Sequence, residues 1–232
     1  MYPFRVSARI GELRDTYPDG RHLLALAGQL SQSDLEALVR LWLSEGIPFA
    51  FKEVPALYEM LREWLGAELK VHPKEITLIG SGRLGSSLAP PPNTGRQFGG
   101  HSDLDWSIIS EHLFGVCSAD FTAWSAAYHD GLVHPHNAKE QAYWDDNLKR
   151  IPVNISRGFI DPYKVPSWYE YPTAQRINQT MSVLAQRIKK TQGAPVFTKA
   201  HLRVFRHWSS FVRQASLNLR QAARKYVATL KS

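Results

Sequence analysis

Two aspartates separated by one residue are the part of this sequence best suited to chemistry. Asp103 and Asp105 flank Leu104, at the start of the apolar run LDWSII. This run predicts a strand over 104–109, and side chains two apart in a strand point to the same face. Two neighbouring carboxylates resist ionising together unless a cation lies between them. Mg²⁺, which is held by one or two carboxylates together with substrate phosphates, fits this pattern. The alternative is a strand edge with solvated aspartates.

A glycine–serine turn precedes these aspartates in the chain. The short apolar segment Ile76–Ile79 predicts a buried strand, and the turn after it leads into a helix predicted over 84–88. A strand that runs through such a turn into a helix offers backbone N–H groups and a hydroxyl to a phosphate. The alternative is an ordinary strand-to-helix turn. The candidate nucleotide-binding residues are Gly80, Ser81, Arg83, Gly85 and Ser86.

Four residues of the turn have a stated role toward phosphate. Gly80 permits a tight turn, and Gly85 allows another group to approach the backbone closely. Ser81 can donate a hydrogen bond to a phosphate oxygen, and Arg83 adds a positive charge nearby.

Together the two motifs resemble those of nucleotidyltransferases with a DNA polymerase beta-like fold. The signature of that family is a glycine–serine turn followed by a strand bearing D-x-D. The bacterial branch that makes nucleotide second messengers extends the turn to G-S-x-x-x-G-[ST], which residues 80–86 match. The resemblance is strong over residues 75–110 and loose elsewhere.

The resemblance implies a fold, a reaction and a cofactor. The fold is α+β, with a small twisted mixed sheet flanked by N-terminal helices and a C-terminal helical region. The reaction is transfer of a nucleotidyl group from an NTP to a hydroxyl, with release of pyrophosphate. Gly80 and Ser81 would hold the triphosphate, while Asp103 and Asp105 would hold two Mg²⁺ ions, or Mn²⁺. The second-messenger branch would place the protein in anti-phage defence.

The family also needs a third carboxylate on a later strand, and here the sequence is less clear. The best candidate for this catalytic, metal-binding residue is Asp161, in the segment GFIDP. The alternative for Asp161 is a turn residue before Pro162. Asn154 lies between apolar residues in the predicted extended segment 151–155, but an amide cannot replace a carboxylate. If Asn154 occupies the strand centre, the protein would be a catalytically degenerate module that binds nucleotide or nucleic acid.

A row of arginines marks the C-terminal region, which we expect to be helical from Pro172 onward. Helical periodicity over residues 199–232 places aromatic and aliphatic residues on one face and arginines on another. This arginine row would contact a nucleic acid, an oligonucleotide acceptor or an acidic protein. The alternative is a solvated helix face. The members of the row are Arg203, Arg206, Arg213, Arg220 and Arg224.

Composition limits the class of protein. With 232 residues, of which 44% are hydrophobic, the chain can bury a sizeable core. The net charge of +7 favours a polyanionic partner. A single cysteine excludes an internal disulfide framework, and we find no signal core or membrane span, so we expect a cytoplasmic protein without membrane contact.

We predict a nucleotidyltransferase core with N-terminal helices over 1–165 and a basic helical region over 166–232 packed on it.

Overall fold

The protein has an α+β fold built around a four-stranded mixed sheet, and the computed structural model describes residues 7–230. The strands are β1 (Ile76–Ile79), β2 (Leu104–Ile109), β3 (Phe159–Ile160) and β4 (Ala200–Phe205). Their order in the sheet is β1-β2-β4-β3. β2 runs antiparallel to β1 and parallel to β4, while β3 is antiparallel to β4.

Helices make up most of the rest of the described chain. They are α1 (Ala8–Gly11), α2 (Gly20–Ala27), α3 (Gln32–Leu38), α4 (Pro55–Leu69), α5 (Ser81–Leu84), α6 (Glu111–His129), α7 (Ala138–Ser156), α8 (Pro172–Lys190) and α9 (Trp208–Thr229). A π-helical segment, Val39–Leu43, continues α3. Single 3₁₀ turns occur at Phe49–Phe51, Pro73–Glu75 and Pro162–Lys164.

The two faces of the sheet pack against different groups of helices. Leu104, Trp106 and Ile108 of β2 belong to a buried cluster with residues of α4, α6, α7 and α8. Ile109 of β2 and Phe205 of β4 point to the opposite face, where α2, α3 and α9 cover them. This division follows from the alternation of side chains along a strand. On this second face, the apolar cluster includes the last residues of β2 and β4. The residues nearer the start of these two strands, such as Asp105 and His201, are polar.

The structure corrects three expectations about secondary structure. The helix predicted over 84–88 is wrong, because the helix here, α5, spans Ser81–Leu84 and ends at Gly85, whose φ is +87°. The prediction of helix from Lys199 onward is wrong over Ala200–Phe205, which forms β4, and α9 begins only at Trp208. The prediction of an extended segment over 151–155 is also wrong, because these residues lie in α7. In β4, buried Leu202 and Val204 alternate with the less buried His201 and Arg203, and pairing with both neighbours stabilises the strand.

The sheet combines strands from both predicted regions of the chain. β4 comes from beyond residue 165, yet it lies between β2 and β3. The first six residues of the predicted core, and the last two of the predicted C-terminal helix, lie outside the described range. No helix within residues 7–230 is long and apolar enough to cross a membrane.

Candidate nucleotide and metal site

Gly80 brings the glycine–serine turn into contact with the second aspartate of the D-x-D pair. Its backbone angles are φ 69° and ψ −150°, a region open almost only to glycine. A Cβ atom added at Gly80 would lie 3.1 Å from Oδ2 of Asp105, because residue 79 pairs with residue 105 across the β1–β2 ladder. The two motifs that are 25 residues apart in sequence therefore form one site.

Substitution of Gly80 by alanine should destabilise the protein and weaken nucleotide binding. The new side chain would add about 1–3 kcal/mol of backbone strain and would press on the Asp105 carboxylate. Gly131 provides the matched control, since its φ is +68° but a Cβ there would have no atom within 4 Å. Urea unfolding and NTP titration of both variants test this. Equal loss of NTP affinity in Gly80→Ala and Gly131→Ala would show that the contact between the turn and Asp105 is irrelevant to binding.

Asp105 faces an open cavity of about 270 Å³ at the end of β2. Its side chain accepts no hydrogen bond and forms no ion pair with any group among residues 7–230. Burial raises the pKa of this carboxyl, His201 and Arg203 act against that rise, and the nearby Asp103 and Asp161 carboxylates add to it. A cation that enters the cavity would stabilise the ionised form of this carboxylate.

Asp103 lies just before β2 and is about two-fifths exposed. Its Oδ1 accepts a hydrogen bond from the backbone N–H of Lys199 at 3.1 Å. Its Oδ2 lies 3.7 Å from Nε2 of His201. His201 is also the residue in register with Asp105 on the parallel strand β4. Both aspartates therefore lie near one histidine that the sequence pattern did not indicate.

Asp161 directly follows β3, which β4 separates from β2, and it lines the same cavity as Asp105. It is buried, and Arg203 donates two hydrogen bonds to its carboxylate, with distances of 2.7 Å and 3.2 Å. Nζ of Lys164 lies 3.3 Å from the same carboxylate. Both oxygens of Asp161 are therefore already paired with cations of the protein, so they are not free to bind a metal as arranged here.

None of the turn residues, Gly80 and Ser81 included, lines this cavity, and Arg83, Gly85 and Ser86 are buried behind the turn. The guanidinium of buried Arg83 donates to the carbonyls of Ile47, at 2.9 Å, and of Glu45. Gly85 has a φ of +87°, and a Cβ there would lie 2.6 Å from the ring of Phe49. Ser86 is buried as well. These positions do not support the prediction that Arg83 and Ser86 contact phosphate. Ser81, by contrast, is only partly buried, and its hydroxyl has no partner among the described residues.

The arginine row is not one surface. Arg203 belongs to β4 and pairs with Asp161, so the prediction that it lies on a helix with the other arginines is wrong. Arg206 lies in the turn after β4, and its guanidinium lies 4.6 Å from the ring centre of Phe114. Arg213, Arg220 and Arg224 lie on α9, at a spacing of seven and four residues that keeps them on one side of the helix.

The carboxylates of Asp105, which lines the cavity, and of Asp103, which does not, fit Mg²⁺ only if a substrate completes the site. Within residues 7–230, no group of three or more His, Cys, Asp or Glu side chains is placed to hold a metal ion. Asp103 and Asp105 instead offer two carboxylates, one of them unpaired, which is the protein share of a site that substrate phosphates complete. When bound, such a cation would neutralise charge on the triphosphate and polarise it.

Comparisons with protein families, with curated proteins and with solved structures find no match to this chain. The functional assignment therefore depends on the residues of the site.

The sequence does contain one signal for β4: the alternation of apolar Leu202 and Val204 with polar neighbours has a period of two, which is typical of a strand.

Proposed function

We propose that this protein binds an NTP together with divalent cations and transfers its nucleotidyl group to a hydroxyl acceptor. The observation that carries this proposal is the contact between the two motifs, in which Gly80 lies against the unpaired carboxylate of Asp105. A phosphate held at the turn would therefore lie next to cations held by Asp103 and Asp105. Bringing these groups together lowers the barrier by positioning and by charge neutralisation, without a covalent enzyme intermediate.

The order of the strands supports assignment to the polymerase beta-like nucleotidyltransferase fold. β1 and β2 form an antiparallel pair whose connection, residues 80–103, begins with the glycine–serine turn, and a later strand, β4, lies parallel to β2. This family places its third carboxylate on a later strand. In this chain the residue of β4 opposite Asp105 is His201.

The acceptor is proposed to be a second nucleotide or the end of a nucleic acid, which would suit a role as a producer of nucleotide signals in anti-phage defence. A protein hydroxyl is the remaining acceptor class. Each of these offers a hydroxyl that could attack the α-phosphate in line, and the product distinguishes them.

A second candidate function is a degenerate module that binds nucleotide without turning it over. Two observations favour it: His201 stands where a third carboxylate would be expected, and Asp161 is paired with Arg203 and Lys164. In this reading Asp103 and Asp105 still bind a cation–NTP complex, but no residue completes the site of the cation that activates the acceptor.

Incubation of the full chain with each labelled NTP and Mg²⁺ or Mn²⁺ tests the proposed function. Release of pyrophosphate together with a labelled product supports transfer, and the length and chemistry of the product identify the acceptor. Cation-dependent binding of NTP without product supports the degenerate module. If NTP binds equally well with and without divalent cations, both candidates are wrong, since each requires Asp103 and Asp105 to act through a cation.

Replacing Ser81 by alanine should weaken NTP binding by roughly 1–2 kcal/mol, the contribution of one hydrogen bond to a charged group. The hydroxyl has no partner in residues 7–230, so its loss should leave the melting temperature almost unchanged. Titration calorimetry measures the affinity, with the exposed Ser167→Ala as the control. Unchanged affinity in Ser81→Ala would place the phosphate elsewhere.

A further inference from the structure

A second cavity, of about 720 Å³, lies at the opposite end of β4 from Asp105. Arg206 is five residues after His201, a rise of about 16 Å along a strand. The cavity is lined by the first turn of α9, by one side of α3 and the π-helical segment after it, and by residues 156 and 158 before β3. Its volume lies in the range of about 300–1,000 Å³ that is usual for small-molecule sites.

The charge of this cavity is strongly positive. Arg40, Arg206 and Arg213 line it, and Glu36 is the acidic member of the described lining. Glu36 lies 4.0 Å from Arg40, so it offsets only part of the charge. Arg213 is held in place by a hydrogen bond of 3.1 Å to the carbonyl of Arg157. Three guanidinium groups around one cavity favour an anion, and guanidinium geometry suits phosphate in particular.

The start of α9 adds hydrogen-bond donors to the same cavity. α9 is 22 residues long, and its N-cap residue, His207, makes no side-chain capping bond. The N–H groups of the first turn therefore have no acceptor within the helix. They and the helix dipole favour a negatively charged ligand.

Ser210 is a second and independent sign of a ligand. Ser210 is only 5% exposed and lines the cavity. Its hydroxyl has no hydrogen-bond partner among the described residues. The approach of Gly158, whose φ is +83°, encloses this hydroxyl, because a Cβ at that position would collide with Oγ of Ser210. This hydroxyl is not sealed from solvent, so a ligand that enters the cavity can form a hydrogen bond with it.

Trp208 indicates what the anion is attached to. Its indole is 41% exposed, lines the cavity and contacts Phe211 edge to face, with the ring centres 5.6 Å apart. Exposed aromatic rings beside cationic grooves are the surfaces on which bases stack. We propose that this cavity is a second ligand site, which binds the phosphate group of a nucleotide through Arg206, Arg213 and Ser210, with its base on Trp208.

Titration calorimetry with AMP in EDTA tests this site separately from the cation-dependent one. AMP should bind to wild type and bind equally well to Ser81→Ala/Asp105→Asn, which lacks the Ser81 hydroxyl and the Asp105 carboxylate of the first site. Arg206→Gln/Arg213→Gln should weaken AMP binding by about 10- to 100-fold, and Ser210→Ala by about tenfold. Lys190→Gln/Lys225→Gln, at two exposed positions outside the cavity, is the matched charge control and should bind like wild type.

Two further comparisons test the chemistry of the ligand. Trp208→Leu should weaken AMP but leave competition by inorganic phosphate unchanged. A 5′-phosphorylated oligonucleotide that binds more tightly than AMP would identify a strand end as the source of the phosphate, and weaker binding would identify a free nucleotide.

Three results would overturn the proposal. They are no AMP binding at millimolar concentration, loss of binding in Ser81→Ala/Asp105→Asn but not in the arginine variant, or equal binding of phosphorylated and unphosphorylated oligonucleotides. Because these titrations contain no divalent cation, failure of the proposed nucleotidyl transfer would not affect them.

Discussion

Substitution of Asp105 by asparagine should lower cation-dependent nucleotidyl transfer by about 100-fold or more, because it removes the unpaired carboxylate beside the glycine–serine turn. The same substitution should raise the melting temperature at pH 7. Burial raises the pKa of Asp105, so the ionised carboxylate destabilises the native state in the absence of a cation. Each kcal/mol regained corresponds to about 2–4 °C in a chain of this size.

The pH dependence of this stabilisation has a definite sign. A carboxyl whose pKa is raised in the native state releases its proton more readily from the unfolded chain, so its effect on stability becomes less favourable as pH rises. The difference in melting temperature between Asp105→Asn and wild type should therefore reach its full size at pH values above the native pKa of Asp105. It should vanish below pH 3.8, the ordinary pKa of aspartate. Thermal melts across this range measure it.

Exposed Asp15→Asn is the control for both measurements, and neither activity nor melting temperature should change in it. Full transfer activity in Asp105→Asn would remove the carboxylate pair from the mechanism. A fall in melting temperature at neutral pH would show that Asp105 has a stabilising partner.

Replacement of Arg203 by methionine should destabilise the protein by about 3 kcal/mol. It would leave the buried carboxylate of Asp161 with Lys164 as its remaining cationic partner. Breaking one side of a buried ion pair costs about 3–5 kcal/mol, and Lys164 should keep the loss near the lower end. Urea unfolding measures this change. The double variant Asp161→Asn/Arg203→Met should regain most of the lost stability, because no uncompensated buried charge remains.

The surface pair of Arg150 and Asp146 provides the control for the buried one. Their atoms also lie 2.7 Å apart, but both side chains are about half exposed or more. Arg150→Met should cost about 0.5 kcal/mol or less. A similar loss in Arg203→Met and Arg150→Met would contradict the structural role of the Asp161 pair.

Asp161→Asn distinguishes that structural role from the catalytic one predicted from the sequence. Stability should fall in either case, because Asp161→Asn removes the partner of Arg203 and Lys164. If Asp161 also serves as the third carboxylate, transfer should be abolished; if the ion pair is its only role, transfer should be reduced only modestly.

The local features of the candidate site could be predicted from the sequence alone. β1 and β2 were predicted at the positions where they occur, because their apolar residues are consecutive in the chain and the strands are short. The positive φ of Gly80 likewise follows from a tight turn that only glycine accepts easily. The α+β class also follows from the order of such local patterns.

Which residues meet at the site depended on pairing over long sequence distances. Residues 200–205 lead into a strongly periodic helix, and their own strand-like alternation is too short to outweigh the helical pattern that follows. Hydrogen bonds to β2 and β3 make them a strand. That pairing places His201 opposite Asp105 and joins Arg203 to Asp161, the predicted third carboxylate, in a buried ion pair. The chain by itself determined the turn and the aspartate pair, since their geometry depends on neighbouring residues. Only the tertiary structure decided their partners, since strand order and register arise from contacts about 100 residues apart.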